Sequence, residues 1–165
     1  MMTIPCVDLS REPNTLRARI LNRIADISKK GEYILGSEVS AFEEAFARYL
    51  GVNHCVGVAS GTDAILLSLL ALGIGRGDEV IVPAMTFIAT VAPLVHLGIT
   101  PVLVDVAADV PTIDVDAIEK AITPKTKAIL PVHLHGHPAD MENIMQIAKR
   151  YKLSVIEDAC QAHGS

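Results

Sequence analysis

Apolar residues follow two rhythms along this chain. From about residue 54 onward, short runs that are apolar throughout alternate with longer stretches in which apolar residues recur at helical spacing. The runs at 54–58, 79–83, 100–104, 128–132 and 154–157 predict strands buried on both faces. The stretches at 62–72, 88–97, 115–121 and 139–151 predict helices lying on a sheet face. Strand and helix in alternation predict an α/β domain with a mainly parallel sheet. The ends carry matching punctuation. Asp114 is placed to cap the third of these helices, Gly73 to end the first, and Gly98 to stop the second ahead of Pro101.

The first 50 residues keep only the helical rhythm. Two amphipathic segments, 15–30 and 38–50, flank the linker Gly31, Glu32, Tyr33, Ile34, Leu35, Gly36 and Ser37. The expected organisation is an N-terminal helical segment at 1–50 followed by the α/β region at 51–165. The helical leader packs either on a neighbouring subunit or domain, or into the chain's own core. No internal repeat interrupts the pattern.

Composition narrows the functional classes. The 165 residues are 50% hydrophobic and 20% charged, with a formal net charge of −5. A chain of this size buries roughly two-thirds of its unfolded surface, enough for a real core. Mean hydropathy is +0.39, yet no apolar run reaches the ~18 residues of a membrane span. There is no basic stripe, so neither nucleic acid nor membrane is an expected partner. Polar low-complexity tracts are missing, which argues against disorder. Cys6, Cys55 and Cys160 are too few and scattered for a disulfide framework, and the N-terminus lacks a signal-peptide layout. The expected compartment is reducing and cytoplasmic.

Candidate chemistry gathers where strands give way to helices, the edge at which parallel sheets bind ligands. In Ala59-Ser60-Gly61-Thr62-Asp63-Ala64 a strand leads through small residues into an apolar helix. Such a helix start offers backbone N–H groups to an anion. It also reads as a helix capped by Ser60 or Thr62. Asp63 would repel a phosphate unless its carboxylate points elsewhere. Gly73-Ile74-Gly75-Arg76-Gly77-Asp78 imitates a dinucleotide fingerprint, but it follows a helix and precedes a strand, so it is a loop. Phe87, at the next strand-to-helix junction, is either a stacking ring for a planar ligand or a core residue. His133, His135 and His137 lie at a strand end without a carboxylate or cysteine at ligand spacing, so no metal is expected. Glu157 and Asp158 are neighbours on a strand, so their side chains face opposite sides and cannot form one dyad. The carboxylate that faces in needs a cation or strong donors.

Read together, the segments Tyr33-Ile34-Leu35-Gly36, Phe42-Glu43, Ser60-Gly61-Thr62-Asp63-Ala64, Gly77-Asp78-Glu79-Val80-Ile81, Thr86-Phe87, Pro138-Ala139-Asp140-Met141 and Glu157-Asp158-Ala159-Cys160-Gln161-Ala162-His163-Gly164 carry a resemblance. In this order and spacing the chain resembles the N-terminal part of a sugar aminotransferase of the DegT/DnrJ/EryC1/StrS family, among the fold-type I pyridoxal-phosphate enzymes. The resemblance implies a three-layer α/β/α fold with a mainly parallel sheet, part of the large domain of the aspartate aminotransferase-like fold.

It also implies a cofactor, pyridoxal 5'-phosphate, and a role for each matching residue. Gly61 and Thr62 would bind the phosphate, Phe87 would stack on the pyridine ring, Asp158 would pair with the ring nitrogen, and Gln161 would hydrogen-bond the 3-hydroxyl. Cys160 stands where many relatives carry Ala, and His137 where Gln is common. Implied partners are a nucleotide-sugar substrate, an amino-acid donor such as glutamate, and a second subunit in a homodimer. No catalytic residue is expected within the chain. The lysine that forms the internal aldimine in this family is expected beyond Ser165, which would leave the isolated chain inactive. A sugar dehydratase of the same family, with histidine replacing that lysine, and a non-catalytic α/β binding module are the alternative readings.

Overall fold

The helical rhythm of the first 50 residues becomes two helices, α1 at Asn14–Lys30 and α2 at Ser37–Leu50. The computed structural model describes residue 5 and residues 8–165, so Cys6 lies outside the described residues. The chain divides into two compact units, one ending at Gly57 and the other running Val58–Ser165. In the first unit, α1 ends on Gly31 and α2 on Gly51, both left-handed with φ near +70°, a conformation that glycine adopts without the Cβ penalty. Arg23 on α1 reaches Glu38 on α2 at 3.3 Å. Phe42 and Phe46 stack along α2 with ring centroids 5.4 Å apart. Glu43 accepts the Gly57 N–H at 2.7 Å, which fixes the segment that follows α2.

The second unit holds α3 Gly61–Ala71, β1 Glu79–Pro83, α4 Ile88–His96, β2 Thr100–Val104, α5 Val115–Ala121, β3 Thr126–Ile129, α6 Met141–Tyr151 and β4 Ser154–Val155. The four strands form one parallel sheet in the order β2-β1-β3-β4. Alternation along β1 divides the core. Val80 and Val82 pack with Ile65 and Leu69 of α3 and Leu94 of α4. Ile81 packs on the opposite face with Ile118 of α5 and Ile144 and Ile147 of α6. The result is a three-layer α/β/α arrangement with a parallel sheet, as expected. Each fully buried aliphatic side chain in these layers contributes about 1.5–3 kcal/mol.

Several elements differ from the sequence expectation, each for a local reason. Residues 54–58 form no strand, because no described segment pairs with them, and Val56 is 74% exposed. β2 is an edge strand with one face open, so Leu103 is 59% exposed and the strand is not buried on both faces. β3 begins two residues early, and a register shift at Glu79 and Val80 leaves Lys127 exposed while Thr126, Ala128 and Ile129 stay inside. α6 starts at Met141, because Asp140 caps it by accepting the Asn143 N–H. β4 is shorter than expected, yet pairing continues beyond it. Ile156 donates to the Ile129 carbonyl, Asp158 to Pro131, and His133 back to Asp158. Pro131 has no N–H to donate, which interrupts the regular ladder just where the chain reaches the sheet edge. No described helix is long and apolar enough to cross a membrane.

Candidate functional site

A cavity of about 280 Å³ opens at the carboxyl edge of the sheet, between the starts of α3 and α4 and the segments that follow β3 and β4. Gly61, Thr62, Phe87, Asp158 and Gln161 all line it. Residues spread over a hundred positions of sequence meet because every parallel strand points its carboxyl end the same way.

The start of α3 forms one wall. Ser60 is the cap: its Oγ accepts the Asp63 N–H at 3.1 Å and donates to the Asp63 carboxylate at 3.0 Å. This reciprocal pair answers the problem posed by Asp63, whose charge is turned onto Ser60. The same pair commits the Ser60 hydroxyl. The N–H groups of Gly61 and Thr62 have no partner within the helix, as at any helix start, and both residues line the cavity. A Cβ at Gly61 would lie 2.8 Å from Cys160 Sγ, so a larger residue there must displace the thiol.

Phe87 is 71% exposed, so it is not a core residue. It precedes α4, and its carbonyl accepts the Thr90 N–H at 3.0 Å. Asp158 forms the floor. Its Oδ2 accepts from Thr90 Oγ1 at 2.7 Å and its Oδ1 from the Cys160 N–H at 3.3 Å. Asp158 therefore meets hydroxyl and backbone donors rather than a cation. Glu157 faces the other side of the strand, where Oε2 meets His133 Nε2 at 3.0 Å. The two carboxylates are separated as the strand alternation requires.

Gln161 Oε1 accepts the His135 N–H at 2.8 Å, which leaves its amide N–H groups as the open end. His135 adopts φ +57°, a left-handed conformation uncommon for a side-chain-bearing residue. Cys160 has its thiol pKa raised, first by burial and then by its hydrogen bond to Asp158. His133 and Thr90 also line the cavity. Sequence reading gives Thr90 no role and treats His133 only as one of three rim histidines. Their partners lie 68 and 24 residues away, beyond any local pattern. Among the described residues no three His, Cys, Asp or Glu side chains are placed to hold a metal.

A larger groove of about 840 Å³ lies between α5 and α6. Its polar groups answer one another. Glu119 accepts from both Tyr151 Oη and Arg150 at 2.7 Å, which lowers its pKa, and Asp140 is lowered by Asn143. The Gly73 to Asp78 loop sits before β1, at the opposite end of that strand, closed by Asp78 accepting the Gly75 N–H at 3.0 Å.

The cavity presents backbone N–H groups of a helix start at one end, an exposed aromatic ring at the mouth, and a carboxylate on the floor. Residues 14–165 match the DegT/DnrJ/EryC1/StrS aminotransferase family. The chain is 49% identical over 162 residues to the dTDP-3-amino-3,4,6-trideoxy-alpha-D-glucose transaminase of Streptomyces venezuelae, covering 98% of this chain and 43% of that one. It is 51% identical over 162 residues to a UDP-N-acetyl-3-dehydro-alpha-D-glucosamine 3-aminotransferase of Acidithiobacillus ferrooxidans, covering 98% and 44%. The crystal structure of NtdA from Bacillus subtilis with bound cofactor PMP superimposes with a TM-score of 0.95 at 44% identity, over 99% of this chain and 38% of that one. The chain thus spans about two-fifths of the length of these relatives.

Proposed function

The chain belongs to the DegT/DnrJ/EryC1/StrS aminotransferase family, and from that premise we propose that the complete protein is a pyridoxal-phosphate-dependent aminotransferase. It moves an amino group from glutamate to a keto-sugar nucleotide in polysaccharide or amino-sugar biosynthesis. The observation that carries this reading is the convergence of Gly61, Thr62, Phe87, Asp158 and Gln161 on one cavity. The names of the Streptomyces and Acidithiobacillus relatives, both of nucleotide-linked sugars, support the substrate class.

When bound, pyridoxal phosphate supplies a ring that accepts electrons from the reacting carbon of the substrate. The N–H groups of Gly61 and Thr62, with the Thr62 hydroxyl, bind its phosphate at the positive end of α3. The Phe87 ring stacks on the pyridine face, worth about 0.5–1.5 kcal/mol beyond buried area. Asp158 holds a proton on the ring nitrogen through a charge-assisted hydrogen bond of about 1.5–3 kcal/mol. Gln161 turns its amide N–H groups to the ring's 3-oxygen, since its own oxygen is engaged by His135.

Residues 51–165 form part of the cofactor-binding large domain in this proposal, and residues 1–50 its helical leader. The proposal includes a cytoplasmic homodimer. Leu16, Ile20, Leu21 and Ile24 of α1, all exposed, support the dimer.

The test is to incubate the full-length protein with pyridoxal phosphate, glutamate and a keto-sugar nucleotide, and to follow products by mass spectrometry. Amino-sugar formation with stoichiometric release of 2-oxoglutarate is the expected result. Loss of water from the sugar without amino transfer would identify the dehydratase instead, and cofactor-independent sugar binding alone would identify a binding module.

A further inference from the structure

Thr90 is 2% exposed and sits in the first turn of α4. A buried threonine in a helix ordinarily satisfies its hydroxyl by bonding back to the carbonyl one turn earlier. Thr90 instead crosses the cavity floor. Its Oγ1 donates to Asp158 Oδ2 at 2.7 Å, and a second hydroxyl, Thr86 Oγ1, lies 2.8 Å behind it. A hydroxyl has one proton. Since that of Thr90 goes to the carboxylate, Thr86 is the donor in the second contact. The three groups form a chain of one direction, Thr86 to Thr90 to Asp158, anchored on the two ends of α4's entry turn. Asp158 Oδ1 receives the longer 3.3 Å contact from the Cys160 N–H, and the Cys160 thiol also hydrogen-bonds the carboxylate. Without Thr90 the carboxylate would keep only its contacts with Cys160 and lose its shortest hydrogen bond.

We propose that Thr90 is a positioning residue for Asp158, orienting the carboxylate on the cavity floor with Thr86 as its support. The inference rests on the cofactor reading above, in which Asp158 meets a ring nitrogen, and it deepens that reading by adding two residues that act through Asp158. Charge-assisted hydrogen bonds of this kind are shorter and about twice as strong as neutral ones, so the contact's loss is measurable.

The full-length protein is the object of the test, in wild-type form and as Thr90→Val, Thr90→Ser and Thr86→Val. Two properties are read for each: affinity for pyridoxal phosphate by equilibrium dialysis, and the pH midpoint at which the visible spectrum of the bound cofactor changes. Thr90→Val keeps the shape and removes the donor, and is expected to weaken affinity about tenfold, the loss of one hydrogen bond to a charged group, and to displace the midpoint. Thr90→Ser is expected to restore both. Thr86→Val is expected to move both in the same direction by a smaller factor, and it decides the matter should Thr90→Val not fold. Thr90→Val with wild-type affinity and midpoint, Thr90→Ser no better than Thr90→Val, or Thr86→Val without effect would each overturn the positioning role. A wild-type protein that takes up no cofactor overturns the underlying cofactor reading instead, and is seen before any variant is compared.

Discussion

His133 and Glu157 join the segments after β3 and β4 through one imidazole. Nδ1 of the buried ring accepts the Ala139 N–H at 3.0 Å, so the ring proton sits on Nε2 and is donated to Glu157 Oε2 at 3.0 Å. The backbone N–H of the same histidine donates to the Asp158 carbonyl at 3.1 Å. A single residue therefore holds the approach to α6 and the strand end that presents Asp158.

The two partners carry unequal weight. His133→Leu leaves the buried Ala139 N–H without an acceptor, and urea unfolding of the full-length protein should show a loss of about 1–3 kcal/mol. Glu157→Gln keeps an acceptor on the exposed side and should cost less than about 1 kcal/mol. Equal losses would mean that the exposed end of the bridge matters as much as the buried one.

Ser60 is committed to capping α3, not to ligand. Ser60→Ala should lower stability by about 1 kcal/mol, with Ser60→Thr close to wild type, as measured by thermal unfolding. A stable Ser60→Ala variant would show that the contact with Asp63 contributes little.

Phe87 is the converse case, an exposed ring that the proposal assigns to the cofactor. Phe87→Ala should leave thermal stability unchanged while weakening pyridoxal phosphate binding by about 2- to 10-fold, the range of a stacking contact. Dialysis and calorimetry on one sample separate the two effects. Unfolding of the variant would place the ring in the core after all.

Cys160 should be a slow nucleophile. Burial and the contact with Asp158 both raise its thiol pKa above the ordinary value of 9.0, so the reactive thiolate is scarce at pH 8 and accumulates only as pH rises beyond that value. Alkylation followed site by site by mass spectrometry should therefore accelerate late in a pH series. Asp158→Asn removes the carboxylate's charge and its hydrogen bond as acceptor for the thiol, both of which raise the pKa alongside burial, and should bring the onset to lower pH. Gly61→Ala places a methyl group against the thiol and should speed alkylation by pushing it off Asp158. Rapid labelling of the native thiol at pH 8 would contradict this placement.

Much of the fold is legible in the sequence because strong local signals agree with burial. β1, β2 and α5 fall at the expected residues, and Gly73 and Gly98 end α3 and α4 in left-handed geometry. What the pattern misjudges depends on neighbours. Val56 and Val58 look like strand residues, yet pairing needs a partner segment. Leu103 looks buried, yet its strand lies at an edge. The gathering of Gly61, Phe87 and Asp158 at one sheet edge follows from parallel topology, and is legible once the alternation is seen. The links from Thr90 to Asp158 and from His133 to Glu157 are not, because a threonine in a helix or a histidine in a loop says nothing of a partner dozens of residues away.

The most direct test of the account is a titration of the full-length protein, wild type and Asp158→Ala, with pyridoxal phosphate, followed by visible absorbance and by borohydride reduction. The account predicts stoichiometric uptake by the wild type, cofactor fixed to a lysine on reduction, and affinity about 10- to 100-fold weaker in Asp158→Ala, as expected for a lost charge-assisted contact. No saturable uptake by the wild type, or equal affinity in the two proteins, would contradict it.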